Sequence, residues 1–349
     1  MLKNAGMRSA LGSCGLVLLV ACAAGPARER GPLRAVLIDA AEAQPARIAA
    51  ITAQGERCVL LRLDESARNL AAAVGAVRAH GCQVGYWLEV GRSPTLAESH
   101  PELVAPLEGH EGWRHAYPTV PVPGPGEIVR AFPWVPISCK EAWLLQLTRT
   151  AALLAEAPPV DHVFLNDLQD APSSCGCGNL LCRWTRLARK TRVGTPLPRN
   201  YAAEFAASVR RIARGARVVA VLASECESTD QSGPCGGVDC AASPCWQQLA
   251  IAWGAVAADP EPIGLLALAR TFRKPADWPS DRVAWLRGWS LAKGHAERPL
   301  LPVLQAWGGD EAHARREAEA CLRSGAAGYV LALDPVEQSI TPRVVRAGG

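Results

Sequence analysis

The chain is 349 residues long, 49% apolar and 20% charged, a balance that suits a packed core and excludes a disordered polymer. Its 37 basic and 33 acidic residues leave a net charge of +4 with no basic stripe, which excludes nucleic acid as a partner. Tryptophan (11) outnumbers phenylalanine (4) and tyrosine (4), and the 13 cysteines are many for a chain of this size.

In chain order, Lys3 and Arg8 come first, as a short positive segment, followed by an apolar or small-residue run over 10–24. The run is too short to cross a membrane, which takes about 20 residues, but it suits the apolar stretch of an export signal. It ends in Leu19-Val20-Ala21-Cys22, which resembles the lipobox of bacterial lipoproteins. The resemblance implies a signal peptide over 1–21, acylation of Cys22 and attachment to a bacterial membrane. Ala23, where an aspartate would signal retention, implies the outer membrane in a cell with two. Residues 22–34, with Ala, Gly, Pro and Arg, read as a flexible tether.

Beyond the tether, short apolar runs predict strands over 35–39, 58–63, 84–90, 162–166, 217–223, 263–269, 300–305 and 328–333. Each is almost continuously apolar, as a parallel sheet covered on both faces requires. Helices are predicted over 45–54, 65–80, 140–156, 201–214, 244–257, 281–293 and 311–324. In the fourth, Phe205, Val209 and Ile212 share one face. Gly81, Gly215 and Gly325 each follow a helix and read as caps. Eight strands alternating with helices predict an α/β fold, a single (β/α)8 TIM-type barrel domain over 35–349. An open doubly wound sheet is the alternative, but no glycine-rich dinucleotide or phosphate loop follows a strand. The excess length lies at 91–139, 168–199 and 225–243, which predicts long, cysteine-rich loops on the C-terminal face. Active sites of such barrels sit on that face.

Polar residues at the strand ends converge there: Asp39, Glu89, Asn166, Asp167, Asp170, Glu225, Gln305, Trp307 and Asp334. Any one of them can be a helix cap or a solvated loop residue, but together they form an acidic pocket. The reaction that best uses two carboxylates in a cleft is glycoside hydrolysis. One acid protonates the leaving oxygen, while the other attacks the anomeric carbon or activates water. Asp167 and Glu225, on neighbouring strands, are the expected catalytic pair. Asp39, Glu89, Asn166, Asp170, Trp307 and Asp334 would bind the substrate. Trp113, Trp134, Trp184, Trp246 and Trp307 fall on or beside the loops, where indole faces can stack on sugars or pack the loops. His110, Glu111 and His115 miss the zinc-protease spacing, since the second histidine must come four residues after the first.

An Asp after the fourth strand and a Glu after the fifth resemble the α-amylase superfamily, which implies Asp167 as nucleophile and Glu225 as acid/base. Asn166-Asp167 also resembles the Asn-Glu pair of another large glycosidase clan, but that clan's nucleophile after strand seven is replaced here by Gln305. The segment from Leu165 through Cys175-Gly176-Cys177-Gly178-Asn179 to Cys182-Arg183-Trp184 is similar to a group of uncharacterised exported bacterial glycoside-hydrolase-like barrels. With it go Glu225-Cys226-Glu227 and Cys240 to Cys245-Trp246. That resemblance implies the fold and no established activity.

Cys139, Cys175, Cys177, Cys182, Cys226, Cys235, Cys240 and Cys245 are clustered too densely for chance. In an exported chain they predict disulfides bracing the long loops. Four thiolates on zinc are the rival, and no other cofactor is expected. Eight cysteines allow on the order of a hundred pairings, so the connectivity stays open. The expected function is thus a membrane-tethered glycoside hydrolase acting on an oligo- or polysaccharide. The alternatives are a non-catalytic carbohydrate-binding barrel and a metal-assisted hydrolase.

Overall fold

The structure is a computed structural model that describes residues 31–107, 117–137, 139–166, 168, 201–213, 215–224, 263–267, 299–306, 311–336 and 340–346. The described fold lies within Pro32–Gly349. Eight strands form the main sheet: β1 (Leu33–Ile38), β2 (Cys58–Arg62), β3 (Gln83–Glu89), β5 (His162–Asn166), β6 (Arg217–Ser224), β7 (Ile263–Ala267), β8 (Leu300–Gln305) and β9 (Gly328–Ala332). Each pairs in parallel with the next, and β9 pairs with β1 from Gly328↔Leu33 to Ala332↔Leu37, closing the barrel. The open-sheet alternative is thereby excluded.

The near-continuous apolar runs have two destinations, because alternate side chains leave a strand on opposite faces. Ala35, Leu37, Cys58, Leu60, Trp87, Phe164, Val219, Val303 and Val330 fill the barrel interior. Val36, Ile38, Val59, Leu61, Val84, Tyr86 and Val163 instead pack outward with the helices. Those helices include α1 (Pro45–Ala53), α2 (Leu70–Ala79), α4 (Lys140–Glu156), α5 (Tyr201–Ile212) and α6 (Glu311–Arg323). Phe205 and Val209 of α5 are fully buried on the predicted face. Gly81, Gly215 and Gly325 have the positive φ of caps, at 72°, 96° and 88°. Cys58 and Cys82 are buried free thiols, the first inside the barrel and the second outside it.

Two expectations are corrected. The helix predicted over 65–80 begins only at Leu70. Asp64 Oδ1 accepts from the Ser66 backbone N–H at 2.8 Å and its hydroxyl at 2.6 Å, a local turn that competes with the helix. Residues 91–139, expected as a loop, contain α3 (Pro94–Ser99) and β4 (Glu127–Phe132). β4 pairs antiparallel with the last described strand, β10 (Thr341–Arg346). Ala105, Leu107, Val129, Ala131, Trp134 and Ile340 form a separate apolar cluster around this pair. Trp134, 1% exposed, packs that cluster and offers no free face for a sugar. The predicted helices over 244–257 and 281–293 lie outside the described residues.

Candidate functional site

Alternation puts the last inward residues of three adjacent strands at the C-terminal mouth. On β2, Cys58 and Leu60 point inward, and Arg62 takes the next inward position. On β3 the same step leads from Trp87 to Glu89, and on β5 from Phe164 to Asn166. The register sets Glu89 level with Asn166 and Arg62 level with Trp87. Trp87 and Phe164 stack below, with centroids 6.1 Å apart and planes at 18°, so the mouth rests on an aromatic floor.

Glu89 is 7% exposed, and Trp87 and Asn166 are fully buried. The Trp87 indole N–H donates to Glu89 Oε1 at 2.7 Å, and Asn166 Nδ2 donates to Oε2 at 2.7 Å. Burial pushes the Glu89 carboxyl above the ordinary carboxylate range. The two donors and the positive charges of Arg62 and Arg92 pull in the other direction without cancelling it. The Glu89 contact fixes the Asn166 amide, turning Nδ2 toward the carboxylate. Asn166 Oδ1 is left buried with no donor. A buried acceptor in that state is one that a ligand hydroxyl would satisfy.

The backbone of Glu89 is held from behind. Arg149, on α4, donates from Nη1 to the Glu89 carbonyl at 3.2 Å. Its Nε and Nη2 meet Glu65 Oε1 and Oε2 at 2.6 and 3.0 Å, a two-pronged pair. Burial raises Glu65, but the Arg149 hydrogen bonds and charge outweigh it and leave the carboxyl below its usual range. Ser93, which caps α3, also donates its hydroxyl to Glu65 Oε1, at 3.2 Å. The loops after β2 and β3 are thus tied to one helix behind Glu89.

Elsewhere on the rim, Asp39 Oδ1 accepts from the Ala41 N–H at 3.0 Å and caps the turn at Ala40–Glu42. Asp334 Oδ2 accepts from the Asp39 N–H at 2.7 Å, and its Oδ1 meets Arg47 at 3.3 Å. Both acids therefore brace the β9-to-β1 seam of the mouth. Cys139 Sγ accepts from the Ala142 N–H at 3.5 Å as the N-cap of α4; the thiol is free and 3% exposed.

β5 ends at Asn166 and β6 at Ser224, and these strands are neighbours; Asp167 and Glu225 are the next residues in sequence after each. Asp167, Asp170, Glu225 and Trp307 themselves lie outside the described residues, as do Cys22, Cys175, Cys177, Cys182, Cys226, Cys235, Cys240 and Cys245. Among the described residues no three His, Cys, Asp or Glu side chains are grouped to hold a metal ion, and no helix is long and apolar enough to cross a membrane.

Arg62, Trp87 and the Glu65–Arg149 pair were absent from the sequence expectations. The alternations Leu60-x-Arg62 and Trp87-x-Glu89 carried a signal for the first two. The ion pair spans 84 residues and has no local signature.

No family model matches the chain, and no curated protein matches it by sequence. Its fold is similar to the α-L-fucosidase isoenzyme 2 of Paenibacillus thiaminolyticus, with a TM-score of 0.46 and 10% identity over 86% of this chain and 46% of that one. It is similar to the β-galactosidase of the psychrophilic Marinomonas ef1, at 0.47 and 10%, over 87% of this chain and 55% of that one. The HpcH/HpaI aldolase of Desulfitobacterium hafniense DCB-2 gives 0.37 and 9%, over 87% of both chains. The chain spans about half the length of the two glycosidases.

Proposed function

We propose that this protein is an exported, lipid-anchored glycoside hydrolase acting on an oligo- or polysaccharide at the barrel mouth. The observation that carries the reading is Glu89. It is a carboxyl buried at the C-terminal end of a barrel strand, raised above its ordinary range by burial and aimed by two 2.7 Å hydrogen bonds. Asp167 acts as nucleophile or base and Glu225 as general acid, on the ends of adjacent strands. Glu89 and Asn166 hold sugar hydroxyls beside them, with Asp170 and Trp307 contributing further contacts. Asp39 and Asp334 shape the rim. The lipobox at Leu19–Cys22 supports anchoring through Cys22; Cys139, expected in the cysteine cluster, is a free buried thiol, and the spacing of the other seven supports disulfides in an oxidising compartment.

A second reading, a non-catalytic carbohydrate-binding barrel, draws on one observation. Both Glu89 oxygens already accept from buried donors, an arrangement suited to holding a ligand as well as to reacting with it.

The test is release of reducing ends from a broad glycan panel by the mature chain, carrying Cys22→Ser and exported through an oxidising compartment. Turnover lost in both Asp167→Asn and Glu225→Gln supports the hydrolase. Glycan binding without turnover supports the second reading. Acyl labelling that persists after Cys22→Ser would overturn the anchor.

A further inference from the structure

We propose that the ligand of the barrel mouth is an acidic sugar and that Arg62 binds its carboxylate; the proposal rests on the carbohydrate reading above.

Arg62 ends β2, two residues beyond Leu60 in the inward register, and is half-buried. Its Nη2 donates to the Pro335 carbonyl, beyond the end of β9, so the side chain reaches past the top of β1. Its Nε is buried and has no partner, and it makes no ion pair among the described residues. Arg47 on the rim and Arg149 behind Glu89 differ. Arg47 lies 2.7 Å from Glu42 and 3.3 Å from Asp334, and Arg149 lies 2.6 Å from Glu65. Arg62 feels the Glu89 charge through space, but the Glu89 oxygens are taken by Trp87 and Asn166. A guanidinium is always charged at physiological pH, and its planar edge matches a carboxylate. Here that edge is vacant at Nε.

The second observation is Asn166 Oδ1, an acceptor on a fully buried side chain that needs a donor. A uronic acid answers both requirements, with its carboxylate on Arg62 and a hydroxyl on Asn166. A neutral sugar would satisfy Asn166 and leave the guanidinium without an anion. The cation also answers an electrostatic problem. A mouth carrying Glu89 would repel an anionic ligand unless a fixed positive charge met it.

The test is calorimetric binding to the lipid-free mature chain. The probes are a panel of oligouronates of different linkage, their methyl esters, the neutral oligosaccharides of the same backbones, and sulfated forms. The expected result is binding of one uronate about 10- to 100-fold tighter than its ester. Arg62→Gln, which keeps a donor for the Pro335 carbonyl, should abolish that preference without changing the melting temperature. Arg62→Lys should restore part of it. Equal binding of acid and ester overturns the acidic-sugar inference and leaves the carbohydrate reading standing. A preference that survives Arg62→Gln overturns the role of Arg62. Tighter binding of a sulfated form overturns the carboxylate in favour of a sulfate ester. No binding of any glycan by folded protein overturns both readings.

Discussion

Replacing Arg149 by Met removes the charge behind Glu89 and keeps most of the side-chain volume. Arg149 is 7% exposed and Glu65 35%. Breaking a fully buried pair costs about 3–5 kcal/mol, because the abandoned charge stays desolvated. Glu65 retains access to water, so the expected loss is smaller, about 2 to 3 kcal/mol after screening is allowed for. The hydrogen bond to the Glu89 carbonyl disappears with it. Urea unfolding of wild type, Arg149→Met, Glu65→Gln and the double variant gives the coupling, expected at about 1–2 kcal/mol. The sign of its pH dependence follows from Glu65, whose folded carboxyl lies below its usual range. The stabilisation is then present above the unfolded value and fades as pH falls through the folded one. The gap between wild type and Arg149→Met should therefore close in acid. Additive single effects, or a loss under about 0.5 kcal/mol, would refute the role assigned to this pair.

Two further outcomes are expected. Glu89 is raised in the folded state, so its proton stabilises the fold below the unfolded value, and that contribution is lost as pH rises through the folded one. Glu89→Gln should flatten the stability–pH curve in that window and hold at neutral pH, since its amide oxygen can still accept from Trp87 and its N–H can donate to Asn166 Oδ1 once the Asn166 amide turns over; an unchanged slope would place the titration elsewhere. Gly328→Ala would put a Cβ 2.2 Å from the Leu33 carbonyl oxygen, where β9 closes on β1. Thermal unfolding should report a loss of roughly 2 kcal/mol or more; a variant as stable as wild type would show that the seam yields.

Local pattern carried the barrel a long way. Uninterrupted apolar runs such as Ala35–Ile38 and Val84–Leu88 name strands buried on both faces, and the helices between them enforce parallel order. The sequence also marked Glu89, Asn166, Asp39 and Asp334 as strand-end polar residues, because a polar group ending an apolar run stands out without any knowledge of its neighbours. It could not separate their roles. Asp39 and Asp334 brace the seam while Glu89 and Asn166 bond across the mouth, and each partnership joins residues 77 or more positions apart. Long-range pairing likewise brought β10 beside β4, turning an expected loop into a small sheet, since Thr341–Arg346 has no apolar alternation of its own until a partner covers it. Periodicity reports which face a residue is on; only closure of the chain reports what it meets there.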